Sequence, residues 1–372
     1  MVDVRPPLNP GNTVSYIVFK EGTNIYIKNG TTGKIVHSST NAQTELQWVI
    51  DTVEGNGGGE ISIRGGTYAI GTGLTIENDN VRLTGEGWEK TVLSVTSGNN
   101  GITVGNASRR TQYVVLKGFL ISHGGTYANA SIGIYLRNQT CCKVEDIEIY
   151  AFEYGIKVDS AVYFAGYNSY TNLLIGSVKY GFYQSGSAEH NGNTFTKVHC
   201  MGAAGPVAGS VGWQNTYGYA NVLMGCTFET FATGLYLDRG SAGYQMMNQF
   251  IGISIESCTT GIDFGSSYIG WRNQFFGIVM SSVTTYIANN YDTANNEFFG
   301  LFGVIGVSRN HGSASVTSGS TIAHGCAFLP RFVHVSIHET TPYKISYTWN
   351  STNITVYHDK GSAATVWWEA EI

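Results

Sequence analysis

Four carboxylates lie in two neighbouring segments: FETFATGLYLD carries Glu229 and Asp238, IESCTTGIDF carries Glu256 and Asp263, and Glu229 and Glu256 occupy matching places. Paired Asp/Glu side chains are the usual means of cleaving a glycosidic bond. One acts as acid and the other as nucleophile at about 5–5.5 Å, or as base around a water at about 6.5–9.5 Å. Close carboxylates also push one pKa upward, which a general acid needs. The same residues fit acidic strand ends facing solvent. A second set, Tyr135, Arg137, Lys157, Asp159, Tyr183 and Tyr236, mixes aromatic rings with charges of both signs. Sugar rings pack on aromatic faces while charged groups bond hydroxyls, so these residues are candidates for substrate binding. They equally fit a solvated face whose charges pair, Arg137 with Asp159 for instance. His199, Glu148 and Ser254 share an expected outward face with Glu229 and Glu256; His199 and His123 are lone histidines, expected as surface polar groups. GxSxG, HExxH and phosphate-loop motifs are absent, as is metal-ligand spacing, so no cofactor and no metal are expected.

An internal repeat must position these residues. One half reads Gly-apolar-x-apolar: GITV at 101, GIYL at 133, GIKV at 155, GLYL at 234 and GIDF at 261, with GFYQ at 181 and GWQN at 212 as looser copies. The other reads Asn-x-apolar-x-Gly: NLLIG at 172, NVLMG at 221, NQFIG at 248, NQFFG at 273 and NEFFG at 296, with NTFTK at 193 looser. The asparagine spacings are 21, 28, 27, 25 and 23. Such a period without helical periodicity predicts the coils of a parallel β-helix, from about Gly58 to Phe302. Alternation in GIKVD turns Ile156 and Val158 inward and Lys157 and Asp159 outward, with Gly155 supplying a bend. Aligned on this basis, one outward column reads Thr103, Tyr135, Lys157, Tyr183, Gln214, Tyr236, Asp263 and Ala288; the next reads Gly105, Arg137, Asp159, Ser185, Thr216, Asp238, Gly265 and Asn290. The recurrent asparagine is expected to stack in a turn and bond the backbone of the next coil.

Outside the repeat, residues 14–38 alternate around EGTN and NGTTG and predict a hairpin or meander, within a 1–40 arm. In 41–55, Asn41 or Thr44 caps a helix with Leu46, Val49, Ile50 and Val53 on one face, placed to cover the open first coil of a 41–307 body. Residues 308–321, rich in Ser, Gly and Thr, predict a linker, and 322–372 a small antiparallel β-sandwich in which one of Trp367 and Trp368 is core.

Composition narrows the function classes. Charged residues are 13% of the chain, the net charge is −5 and no Lys/Arg cluster occurs, against nucleic-acid binding and against a basic groove for acidic polymers. No apolar run reaches the ~18 residues of a membrane span, and MVDVRPPLNPGNTVS lacks the apolar core of a secretion signal. The six cysteines are expected as buried small apolar residues, a Cys200–Cys226 disulfide being the alternative.

GGGEISIRGGTYAIGTGLTIENDNVRLTGEGWEKTVL (57–93) resembles the opening coils of the pectate-lyase-like right-handed β-helix superfamily. The resemblance extends over roughly 41–307, and implies an all-β fold and a glycan-acting or glycan-binding protein; lyases, hydrolases, epimerases and virus tailspikes share it. TIAHGCAFLPRFVHVS followed by NITVYHDKGSAATVWWEAEI resembles C-terminal β-domains of viral tail and receptor-binding proteins, which end in Trp-Tyr-Ala-Glu where this chain ends Trp367-Trp368-Glu369-Ala370-Glu371, a departure at one position. Together these imply a tailspike- or fibre-like protein, extracellular or virion-associated and homotrimeric, that binds a cell-surface polysaccharide and hydrolyses it if a carboxylate pair is competent. The alternatives are a secreted polysaccharide lyase or hydrolase and a non-catalytic fibre.

Overall fold

The structure is a computed structural model describing residues 14–371 apart from 97, 125–127, 161, 239–244, 266–269, 290–295, 303–308, 325, 327–329 and 338–342. Asn290, Ser308 and Arg239 lie outside the described residues. The body is a parallel β-solenoid of about eight turns. Each coil contributes strands to three stacks: a long sheet, a nine-strand sheet and a sheet of two-residue strands. Strands bond to the same place one coil on, so residues 22 to 33 apart in sequence become neighbours about 4.8 Å apart.

The interior follows the inward half of the alternation. Ile102, Ile134, Ile156, Phe182, Trp213, Leu235 and Ile262 form one register-matched buried column. Gly155 adopts no left-handed backbone, so the expected bend is not its role. A Cβ there would stand 2.2 Å from Ile175 Cγ2 and 2.7 Å from Gly181 O; the position is glycine for lack of room.

Asn168, Asn193, Asn221, Asn248 and Asn273 form a buried ladder ending at Asn296. The Nδ2 of each donates to the Oδ1 of the next at 2.9–3.1 Å. Nδ2 also reaches a backbone carbonyl, His190 O from Asn221 at 2.8 Å and Gln245 O from Asn273 at 2.8 Å. Asn172, read from sequence as a member, is not one. It is exposed, at φ 53°, in a different column of left-handed residues: Gly118, Asp146, Asn172, Lys197, Gly225, Gly252 and Gly277. That conformation suits glycine and tolerates Asn, so a bend residue imitated the ladder motif. The constant relation is four residues from ladder asparagine to bend: Asn168 to Asn172, Asn193 to Lys197, Asn221 to Gly225.

At the N-terminal end, strands Tyr16–Glu21, Asn24–Asn29 and Ile35–Ser39 form an antiparallel meander, and the first also pairs in parallel with Gly59–Ile63. The helix Ala42–Gly55 is capped by Asn41, whose side chain accepts from Thr44 N at 3.1 Å. It buries Leu46, Val49, Ile50 and Val53 against the first coils. Its polar side chains close the edge of the nine-strand sheet: Gln47 Oε1 accepts from Thr75 N and Nε2 donates to Thr75 O, both at 2.9 Å. An open edge that would template aggregation is thereby saturated.

Near the C-terminus, strands Arg309–Val316, Ala364–Glu371 and Phe332–Ile337 form one antiparallel sheet and Ser320–Ala323, Asn353–His358 and Ile345–Trp349 another. Residues 309–316 are thus strand where a linker was expected. Their inward residues, Gly312, Ala314 and Val316, are small because the Trp368 indole lies over Gly312, which lowered their apparent hydrophobicity. Trp368 is core, and Trp367 is 53% exposed. All six cysteines are free thiols, Cys200 and Cys226 included, and all but Cys141 are buried.

Candidate functional site

The nine-strand sheet presents the first candidate face. Thr103, Tyr135, Lys157, Tyr183, Gln214, Tyr236, Asp263 and Ala288 are successive register partners, and Arg137 opposes Asp159. Alternation with the buried column forces these side chains outward, although Gln214 is 9% exposed.

An aromatic–cation cluster occupies the middle of this strip. Tyr154 and Tyr180 stack with ring centroids 4.7 Å apart, and Tyr183 meets both edge-on at 5.2 Å. The Lys157 ammonium lies over Tyr154 at 5.1 Å and Tyr135 at 5.6 Å; Lys179 lies over Tyr180 at 5.1 Å and pairs with Glu153 at 3.6 Å. Arg137 lies over the Tyr135 ring at 5.4 Å, and the Tyr135 hydroxyl donates to Asp159 at 3.0 Å. Burial pushes the Tyr154 phenol up to about 12, with Glu153 adding to it. Burial also raises Tyr135, then the Asp159 charge, and raises Tyr183. The phenols therefore stay neutral donors at physiological pH, next to fixed cations.

Sequence reasoning missed Tyr154, Tyr180, Lys179 and Glu153. The signal was present: both copies read acid-or-Lys, Tyr, Gly, apolar (EYGIK at 153 and KYGFY at 179), but the outward columns were counted only after the glycine.

Asp238 and Asp263 belong to the far end of the same strip and are not register partners. The Tyr236 hydroxyl donates to Asp238 at 2.9 Å. Asp263 Oδ1 accepts from Gly265 N at 2.9 Å and from Asn289 Nδ2 at 3.0 Å. Both carboxylates already hold local structure. Tyr236 is raised by burial and then by the hydrogen bond to Asp238.

The long sheet carries the second face. Glu229 and Glu256 are direct register partners on adjacent coils. His199 Nε2 lies 3.3 Å from Glu229 Oε2, and Ser254 Oγ donates to Glu256 Oε1 at 2.7 Å. With relative exposures of 39% and 37%, His199 and Glu229 are open to a ligand. Glu148 shares the His199 column two coils earlier, with Leu174 between them, so it stands apart from the pair. Burial, then Glu89, raises the Glu148 carboxyl. His123, expected at the surface, is 4% exposed and edge-on to Phe152, and burial lowers its pKa. Among the described residues no group of three or more His, Cys, Asp or Glu could hold a metal ion.

These coils make the molecule a parallel β-helix protein with polar, aromatic-rich outer faces. No protein-family model and no curated protein sequence matches the chain. Among solved structures, ORF18 of Geobacillus virus E2 is similar over 90% of this chain and 83% of its own, with TM-score 0.55 and 12% identity. The tailspike protein 2 enzymatically active domain of bacteriophage CBA120 is similar over 92% of this chain and 69% of its own, with TM-score 0.45 and 10% identity. The tailspike gp49 of Acinetobacter baumannii bacteriophage Fri1, a capsular polysaccharide depolymerase, gives 88%, 82%, 0.35 and 11%. Of these, the first is close enough to share a fold, and at its identity it shows the fold alone.

Proposed function

We propose that the chain is a tailspike- or fibre-like protein, virion-associated or extracellular, whose nine-strand face binds a cell-surface polysaccharide. The Tyr154–Tyr180–Tyr183 cluster between Lys157 and Lys179 carries this reading. A glycan lying along the coils meets a new row of aromatic faces, hydroxyl donors and cations every ~4.8 Å, which suits a repeating polymer. With cations and carboxylates interleaved, the strip favours neutral or mixed-charge glycans over polyuronates. The test is pull-down of capsular, lipopolysaccharide and plant glycans by the protein and by a Tyr154→Ala/Tyr180→Ala variant. Retention of one glycan by the parent and not by the variant supports the assignment; no retained glycan, or equal retention, removes it.

Hydrolysis is a second reading, favoured by the register pairing of Glu229 with Glu256. Parallel neighbours lie about 4.8 Å apart at the backbone, a spacing compatible with the carboxyl separation of a retaining pair, and His199 and Ser254 contact the two side chains. Reducing-end release without unsaturated products, lost in Glu229→Gln, supports it. Unsaturated products would instead indicate a lyase and turn attention to Arg137, Lys157 and Arg239.

We propose also that the chain forms a homotrimer, through the register-matched stripe Met224, Ile251, Phe276 and Phe299, where Phe276 and Phe299 stack at 4.8 Å and Phe299 is 50% exposed. Sedimentation at about three times the 40.2 kDa chain mass supports it, and a monomer rejects it.

A further inference from the structure

The turn formed by residues 85–90, between strands Val81–Thr84 and Thr91–Val95, borders an open cleft of about 230 Å³ in the early coils. The turn is held from several sides. Glu86 accepts from Arg64 Nη1 at 2.6 Å and Gly65 N at 2.8 Å, Gly87 N donates to Gly118 O at 2.8 Å, and Gly66 N donates to Lys90 O at 2.7 Å. It presents Trp88, Glu89 and Lys90 to the cleft, whose opposite wall is Asp146 and Asn172 from two later coils.

That wall exploits the left-handed column. At Gly118, Gly225, Gly252 and Gly277 the bend has no side chain, but here Asp146 at φ 54° and Asn172 at φ 53° supply polar groups. They are preset: Asn172 Nδ2 donates to Asp146 Oδ1 at 2.9 Å, and Lys117 Nζ lies 3.3 Å from Asp146 Oδ2.

We propose that this cleft is a separate carbohydrate site that takes one neutral sugar ring, a hexopyranose or an N-acetylhexosamine. Trp88 supplies an aromatic face for the apolar side of a pyranose, and Lys90, Glu89, Asp146 and Asn172 supply donors and acceptors for its hydroxyls. At about 230 Å³ the cleft is smaller than the ~300–1,000 Å³ of pockets for drug-sized ligands, which suits a single ring. Arg64 pairs with Glu86, and Lys117 is shared between Asp146 at 3.3 Å and Glu145 at 3.6 Å, so the lining holds no excess of cations for an anionic ligand. The site does not rest on the tyrosine strip, which lies on another sheet.

The test is saturation-transfer proton NMR on the full chain with glucose, galactose, mannose, N-acetylglucosamine and N-acetylgalactosamine. The comparison is with Trp88→Ala, with Asp146→Gly/Asn172→Gly, and with Tyr180→Ala. The glycine variant suits the left-handed backbone, so it removes the wall without straining the coil and carries the test even where Trp88→Ala fails to fold. At least one sugar should give a signal that weakens about tenfold or more in the cleft variants and persists in Tyr180→Ala. No signal from any sugar, a signal surviving the glycine variant, or one lost only in Tyr180→Ala overturns the proposal. Loss of polysaccharide retention in strip variants, with this signal intact or not, reads out on the proposed function separately.

Discussion

The ladder asparagines Asn168, Asn193, Asn221, Asn248 and Asn273 and the outward residues Tyr135, Lys157, Tyr183 and Tyr236 each recur once per coil, at nearly the same spacing. In the ladder one amide type repeats, because every rung must satisfy the same buried carbonyls and the same neighbouring amide. On the outer strip the residue type changes from coil to coil, because solvent satisfies whatever is placed there. Uniformity along a solenoid column therefore signals structure, and variety is where recognition has room to act.

Replacements on the two sides of one strand should break this contrast most sharply. Ile156→Asp buries an unpaired charge at a fully buried site and should abolish folding, while neighbouring Lys157→Ala should change stability by no more than about 0.5 kcal/mol. Soluble expression and denaturant unfolding check both; equal tolerance would mean the inward and outward faces are exchanged. Next in size, Asn221→Ala strips Asn193 N and Nδ2 of their acceptor and leaves His190 O without its donor. At about 1–3 kcal/mol per orphaned group the loss should reach ~3 kcal/mol or more, measured by urea unfolding. Tyr154→Ala/Tyr180→Ala should reverse the pattern, reducing glycan affinity about tenfold or more with a smaller shift in Tm than Asn221→Ala.

Two finer effects sharpen it. The Tyr154 phenol is raised to about 12 in the folded chain, whereas unfolded tyrosine ionises near 10. The stability it contributes is complete below pH ~10 and is lost as pH climbs through the folded value, because the unfolded chain releases its proton first. Phenolate absorbance should show a late-titrating fraction that Tyr154→Phe reduces. Smallest of all, Asn172→Gly should stay within about 1 kcal/mol of the parent, since glycine suits its left-handed bend, whereas Asn168→Ala, four residues earlier, should cost several times more.

Much of the coil was legible in residue types alone. Alternation identified Ile156 and Val158 as inward, the Gly-apolar repeat supplied the register from Thr103 to Ala288, and Asn41 with its apolar face marked the capping helix. Each of these depends on residues near in sequence and on a side-chain period of two. The misread positions were those where two columns use the same residue type, as with Asn168 and Asn172, or where packing favours small residues, as in the strand Arg309–Val316.

By itself, then, the sequence determined the period, the alternation and the chemistry available on each face. The tertiary structure alone decided which residues meet. Coil lengths vary, so the stacking phase comes from backbone pairing between coils and from left-handed bends that many residues can occupy. That phase set Glu229 against Glu256, joined Tyr154 and Tyr180 to the strip, and brought Trp88 to the same cleft as Asp146 and Asn172 across more than fifty residues of chain.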